Sequence, residues 1–95
     1  MNVVETSPVN IALRTLSDDE RRKVWAWFDH LRNWESDAFV REHSKELPGS
    51  QGVYVFQTTD DLRIFFRLES DRIVLLDIAT KDTLLRTANG SRVDA

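Results

Sequence analysis

Apolar and polar positions are most regular between Gly52 and Ala79. Three apolar-rich runs, Val53 to Thr58, Leu62 to Leu68 and Arg72 to Ala79, are separated by Thr59-Asp60-Asp61 and Glu69-Ser70-Asp71. The runs are rich in Val, Ile, Phe and Tyr and contain no proline, and the breaks have hairpin length and turn composition. This pattern predicts a three-stranded antiparallel meander. Side chains alternate across a strand, so Leu62, Ile64, Phe66 and Leu68 share one face and Arg63, Phe65 and Arg67 the other. Strict alternation in the third run places Val74, Leu76 and Ile78 opposite Ile73, Leu75 and Asp77. One face of such a sheet must be core, and it needs a cover.

The N-terminal half supplies that cover. Val3 and Val4 suggest a short strand. Ser7-Pro8 reads as an N-cap followed by proline at the first helical position, where a missing N–H costs nothing. Val9, Ala12, Leu13 and Leu16 then recur at helical spacing, although Val9, Ile11 and Leu13 also alternate, which leaves a strand open. Ser17-Asp18-Asp19-Glu20 is a capping box with three acids at the positive end of a helix dipole. Val24, Trp27, Phe28 and Leu31 form the apolar stripe of the helix it opens, extended by Trp34, with Trp25 to its side. Asn33 to Asp37 breaks and recaps the pattern. Phe39, Val40, His43 and Leu47 then suggest a second, shorter helix stopped by Pro48-Gly49-Ser50, with His43 partly buried and His30 on a helix surface. The expected class is α+β: a short strand, then two or three helices on a small antiparallel sheet that ends in the meander. Residues 1–88 read as a single domain, with Leu84 and Leu85 packing back on the sheet and a frayed tail from 89 to 95.

Ninety-five residues at 41% hydrophobic suit one modest core. A domain of this size buries somewhat over ~60% of its unfolded surface, which leaves room for a partner or for homo- or hetero-oligomers. The absence of cysteine rules out disulfides and thiolate metal sites and fits a reducing compartment, so a cytoplasmic location is expected. No apolar run is long enough to cross a membrane, and MNVVETSPVN lacks the basic and hydrophobic parts of a signal peptide. Neither histidine has metal-ligand spacing and no glycine-rich phosphate loop is present; no cofactor or metal is expected. A net charge of -3 argues against indiscriminate nucleic-acid binding but leaves room for a local basic site.

The order of these pieces resembles the RelE/ParE superfamily of bacterial toxins from toxin–antitoxin pairs. Lys45, Leu47 and Gly49 match the family's Lys-x-Leu-x-Gly lead into the meander. Asp61-Leu62-Arg63-Ile64-Phe65-Phe66 matches its turn and Arg-Ile/Val-x-Tyr/Phe strand, and Ile73-Val74-Leu75-Leu76 its Ile-Val-x-Leu strand. The resemblance spans Val3 to about Arg86. It implies a small sheet with helices on one face and a protein antitoxin laid over it. Many members cut mRNA in the ribosomal A site, whereas ParE-like members poison DNA gyrase.

Cutting RNA through its 2′-hydroxyl needs a base, cations for the phosphorane and an acid for the leaving oxygen. The resemblance puts Arg63 and Lys81 at the family's catalytic cations, and makes Lys45, Phe65, Arg67 and Arg86 RNA- or partner-binding positions. Two departures stand out. Gln57 lies where the family often has arginine, and Leu84 and Leu85 lie where it has Tyr or His. The bland alternative for Arg63 is a solvated strand arginine paired with Asp77. Three readings stay open: a ribosome-dependent endoribonuclease with an altered site, a gyrase-binding toxin, and a non-catalytic interaction module.

Overall fold

The structure is a computed structural model and describes residues 1–80. Lys81, Leu84, Leu85, Arg86 and the expected 89–95 tail lie outside the described residues. The elements run β1 (Asn2–Glu5), α1 (Ser7–Thr15), α2 (Asp18–Arg32), α3 (Ala38–Glu42), β2 (Ser44–Glu46), β3 (Val53–Gln57), β4 (Leu62–Leu68) and β5 (Arg72–Thr80). The meander is β3-β4-β5, as the pattern predicts, within a five-stranded sheet of order β1-β5-β4-β3-β2. The sheet is mixed rather than purely antiparallel, because β1 runs parallel to β5 with Val3 opposite Ile73. A parallel pair needs a long crossover, and the helices and the meander provide it.

Local signals explain most boundaries. The alternation that left α1 open is resolved as helix, with Val9 and Leu13 buried. The helix starts one residue earlier than the Ser7-Pro8 reading, with Thr6 as N-cap. The Thr6 hydroxyl donates instead to the Leu75 carbonyl at 2.7 Å and ties the turn to β5. In α2 the capping box closes both ways: the Glu20 N–H donates to Ser17 Oγ at 3.2 Å and the Ser17 N–H to Glu20 Oε1 at 3.1 Å. The Ser17 N–H first, and then the Ser17 hydroxyl, hold the Glu20 carboxyl below its usual range. Asp37 caps α3 by accepting from the Val40 N–H at 3.2 Å, and its other oxygen lies 2.7 Å from His30 Nδ1. That hydrogen bond to His30 is the main cause of its lowered pKa. Both groups stabilise the fold as carboxylates. Their contributions are therefore complete above the ordinary carboxylate range and disappear as pH falls through the lowered native values. Ser17→Ala is expected to cost about 1 kcal/mol at neutral pH and to weaken the acid-side loss of stability. Thermal melts from pH 7 to 3 would show it, and parallel curves for variant and wild type would contradict it.

The second helix is shorter than Phe39, Val40, His43 and Leu47 suggested. It ends at Glu42, and Ser44–Glu46 forms the edge strand β2 against β3, with Lys45 opposite Val55. The Ser44 hydroxyl caps the helix end by donating to the Val40 carbonyl at 2.7 Å. The β2–β3 connection turns at Gly49 and Gly52, both at positive φ (76° and 78°) that glycine adopts without strain. His43 is exposed rather than partly buried: its ring lies on Phe39 at 4.0 Å and its Nδ1 donates to the Phe39 carbonyl.

All three helices contribute to one core cluster: Val9 and Leu13, then Val24, Phe28 and Leu31, then Val40, against Phe56, Leu62, Ile64, Phe66, Ile73, Leu75 and Ile78. Two aromatic groups seal it. Trp34, Tyr54 and Phe66 meet at centroid distances of 5.6 to 5.9 Å. Trp27 packs on Phe39 and Phe56, and its indole N–H donates to Asp60 Oδ2 at 2.8 Å, fixing the β3–β4 hairpin. Since every helix serves the same face, no described helix covers the other.

The register of β5 departs from strict alternation. Phe65 pairs with Asp77 but Phe66 with Leu75, so Leu76 is an extra residue. Such a bulge reverses the phase of alternation. Ile73 and Leu75 are buried before it and Ile78 after it, while Val74 and Asp77 lie on the opposite face. Ile78 therefore joins Ile73 and Leu75, and Asp77 leaves them, contrary to the sequence pattern.

Candidate functional site

The uncovered face of the sheet gathers most of the residues singled out by sequence. Along β4 the side chains of Arg63, Phe65 and Arg67 project from it. Gln57 and Ala79 flank Arg63, Val55 and Asp77 flank Phe65, and Val53 and Val74 flank Arg67. Lys45 extends the Phe65 row from β2. The surface is a half-buried apolar strip of Val53, Val55, Phe65 and Val74, with cations spaced around it.

Those cations are uncommitted. Arg21, Arg22, Arg32 and Arg72 each pair with an acid three residues away. Among the described residues Arg63, Arg67 and Lys45 have no ion-pair partner, and the Arg63–Asp77 pair of the bland alternative is not formed. Exposed surface pairs contribute little stability, but a guanidinium without a carboxylate keeps its planar fork for a phosphate or carboxylate ligand. Arg63 lines a cavity of about 170 Å³ with Gln57, Asp61 and Leu62.

The hairpin beside this cavity is tightly built. Thr58, 6% exposed, donates its hydroxyl to the Leu62 carbonyl at 2.9 Å. The same oxygen accepts from the Asp60 and Leu62 N–H groups. Asp61 takes a positive φ of 57° at the turn, a region that aspartate tolerates better than most residues. Asp60 and Asp61 are thus turn residues, as their composition suggested, and they hold the β4 strand that presents Arg63. Sequence reasoning passed over Thr58; its only signal is a polar residue closing an apolar run.

Strict alternation grouped Asp77 with Ile73 and Leu75. The bulge puts it across from Phe65 and diagonal to Arg63, a separation of about 7–8 Å in regular pairing. It is exposed, and its Oδ1 accepts from the adjacent Ile78 N–H at 2.8 Å. Neither histidine reaches this face: His30 bonds Asp37 and His43 stacks on Phe39. No group of His, Asp and Glu among the described residues is arranged to hold a metal ion, and no described helix is long and apolar enough to cross a membrane. On the helical side Trp25, 49% exposed, borders an open groove of about 520 Å³ with Glu5, Asn10, Leu13, Arg14 and Arg21.

No protein-family model matches the sequence, and no curated protein does. Solved structures do match. The RelB–RelE antitoxin–toxin complex of Methanococcus jannaschii aligns with a TM-score of 0.67 at 12% identity, covering 88% of this chain and 96% of that one. The isolated RelE toxin of Escherichia coli aligns at 0.63 and 10% identity, covering 97% of each chain. The RelBE2 toxin–antitoxin complex of Mycobacterium tuberculosis aligns at 0.62 and 14% identity, covering 83% of this chain and 88% of that one. The fold is α+β and RelE-like across the described sheet and helices.

Proposed function

We propose that this chain is the toxin of a toxin–antitoxin pair and an endoribonuclease that cuts mRNA on the ribosome, with the uncovered sheet face as its RNA-binding surface. The observation that carries the reading is Arg63, a guanidinium without an ion pair among the described residues, at a cavity edge on a face that also presents Arg67 and Lys45. In-line attack of a 2′-hydroxyl builds charge on phosphorane oxygens, and a preorganised fork stabilises that charge more than it does the ground state. Arg67 and Lys45 bind flanking phosphates, and Phe65 between the two arginines offers a ring for base stacking. Lys81, placed by the family resemblance just after β5, is proposed as the second cation at the scissile phosphate and Arg86 as a further contact. The net charge of -3 suits a target brought in by the ribosome better than free RNA captured by charge alone.

The antitoxin docks on the same surface. The strip of Val53, Val55, Phe65 and Val74 supplies apolar area for a protein, and the surrounding cations suit an acidic segment. That strip also favours the second reading, a toxin that works by gripping a protein such as DNA gyrase without cutting RNA. Tightly induced expression in a bacterial host separates the two. The expected result is growth arrest with mRNA cleaved only where ribosomes are translating, relieved by co-expression of the antitoxin. Arrest with a DNA-damage response and intact mRNA would give the gyrase reading, and normal growth with folded protein would leave an interaction module.

A further inference from the structure

We infer that Asp77 is the general base that deprotonates the attacking 2′-hydroxyl. The inference rests on the endoribonuclease reading above. The basic side chains Arg63, Arg67 and Lys45 are donors only, neither histidine reaches their face, and Asp61 at the Arg63 cavity belongs to the hairpin turn, so among the described residues the strands of that face otherwise offer no carboxylate as a proton acceptor. Asp77 supplies one. It projects there only because Leu76 is inserted as a bulge; in an unbroken strand it would share the face of Leu75, which is fully buried. Bulges commonly re-aim a side chain beside an active site. The two residues flanking this one in register, Phe65 and Arg63, are those that would hold a base ring and a phosphate.

Among the described residues the charged groups facing Asp77 are Arg63 and Arg67 on β4 and, further across the sheet, Lys45 on β2. On the β1 side, Glu5 lines the groove beside Trp25 on the helical face instead. The carboxylate is paired with none of these cations, so it is not already neutralised as an acceptor. In the reaction Asp77 takes the 2′-hydroxyl proton as the O2′–P bond forms. The P–O5′ bond breaks, its electron pair leaves on O5′, and that oxygen takes a proton from solvent water. The products are a 2′,3′-cyclic phosphate and a 5′-hydroxyl end, and Asp77 then returns its proton to water.

The test uses the full chain with ribosomes programmed with a defined mRNA, and measures single-turnover cleavage and ribosome binding separately. Asp77→Asn keeps the shape and an acceptor for the Ile78 N–H, and is expected to slow cleavage about 10²–10⁴-fold while binding ribosomes as tightly as the wild type. Asp77→Glu is expected to recover part of the rate. Formate or acetate added to Asp77→Ala is expected to raise its rate in proportion to concentration, which a merely structural role would not produce. Circular dichroism melts identify any variant that fails to fold, and the formate arm is read on folded protein. Cleavage by Asp77→Asn at the wild-type rate, or no carboxylate rescue of folded Asp77→Ala, would overturn the inference and leave the endoribonuclease reading standing. A wild-type chain that cuts no mRNA on ribosomes would overturn both.

Discussion

Phe66→Ala is expected to destabilise the fold by about 3–5 kcal/mol, the usual cost of emptying a buried aromatic site. Phe66 is fully buried at the centre of the sheet. It stacks on Tyr54 at 5.6 Å and meets Trp34 edge-on at 5.6 Å, so its removal also opens the seal between the end of α2 and β3. Domains of this kind are typically stable by only about 5–15 kcal/mol, and the melting temperature falls by roughly 4–8 °C per kcal/mol at this size. The adjacent Phe65→Ala is the control. Its ring is half-buried on the opposite face, so the expected loss is well under half as large. Equilibrium denaturation of both variants decides the matter. Equal losses would mean that the Phe65 face is packed as core, which would remove it as a binding surface.

That contrast was legible in the sequence because β4 alternates without interruption. The same holds for α2, whose capping box and stripe of Val24, Phe28 and Leu31 state both its start and its buried side. β2 was not legible. Ser44, Lys45 and Glu46 are all polar, since an edge strand of three residues buries almost nothing and leaves no periodic signal. Its partner β3 determines it, through a pairing remote from the local composition. The parallel placement of β1 against β5 is likewise a long-range fact: Val3 and Val4 announce a strand but not its neighbour.

The site divides along the same line. Arg63, Phe65 and Arg67 were placed on a common face by period alone, and β4 bears this out. What the sequence could not state is whether Arg63 was engaged. Asp77, offered as its partner in the bland alternative, was grouped with Ile73 and Leu75 by an alternation that the Leu76 bulge breaks. A bulge depends on the fit of two strands to each other and to the core, and β5 shows only an even run of Ile, Val and Leu. One unpredicted inserted residue thus separates Asp77 from Ile73 and Leu75 and sets it diagonal to the candidate cation.

Arg63→Ala is the sharpest test of the proposed chemistry, with an expected fall in cleavage of about 10²–10³-fold, the usual loss when one preorganised donor to a developing oxyanion is removed. The substitution should leave the fold nearly untouched. Arg63 makes no ion pair among the described residues, and surface changes away from special features usually stay within about 0.5 kcal/mol. Activity and stability should therefore separate, in contrast to Phe66→Ala, where they fall together. Arg63→Lys keeps the charge but not the planar two-pronged donor. If the fork itself binds the phosphorane, the lysine variant recovers only part of the rate. If only positive potential matters, it recovers nearly all of it, and added salt slows both proteins alike. Measured by primer extension on a ribosome-bound message, unchanged cleavage by Arg63→Ala would remove Arg63 from the chemistry altogether. Loss of toxicity in a strain whose mRNA was never cut would instead assign Arg63 to the grip on a protein target, because the same uncommitted fork recognises a carboxylate as readily as a phosphate.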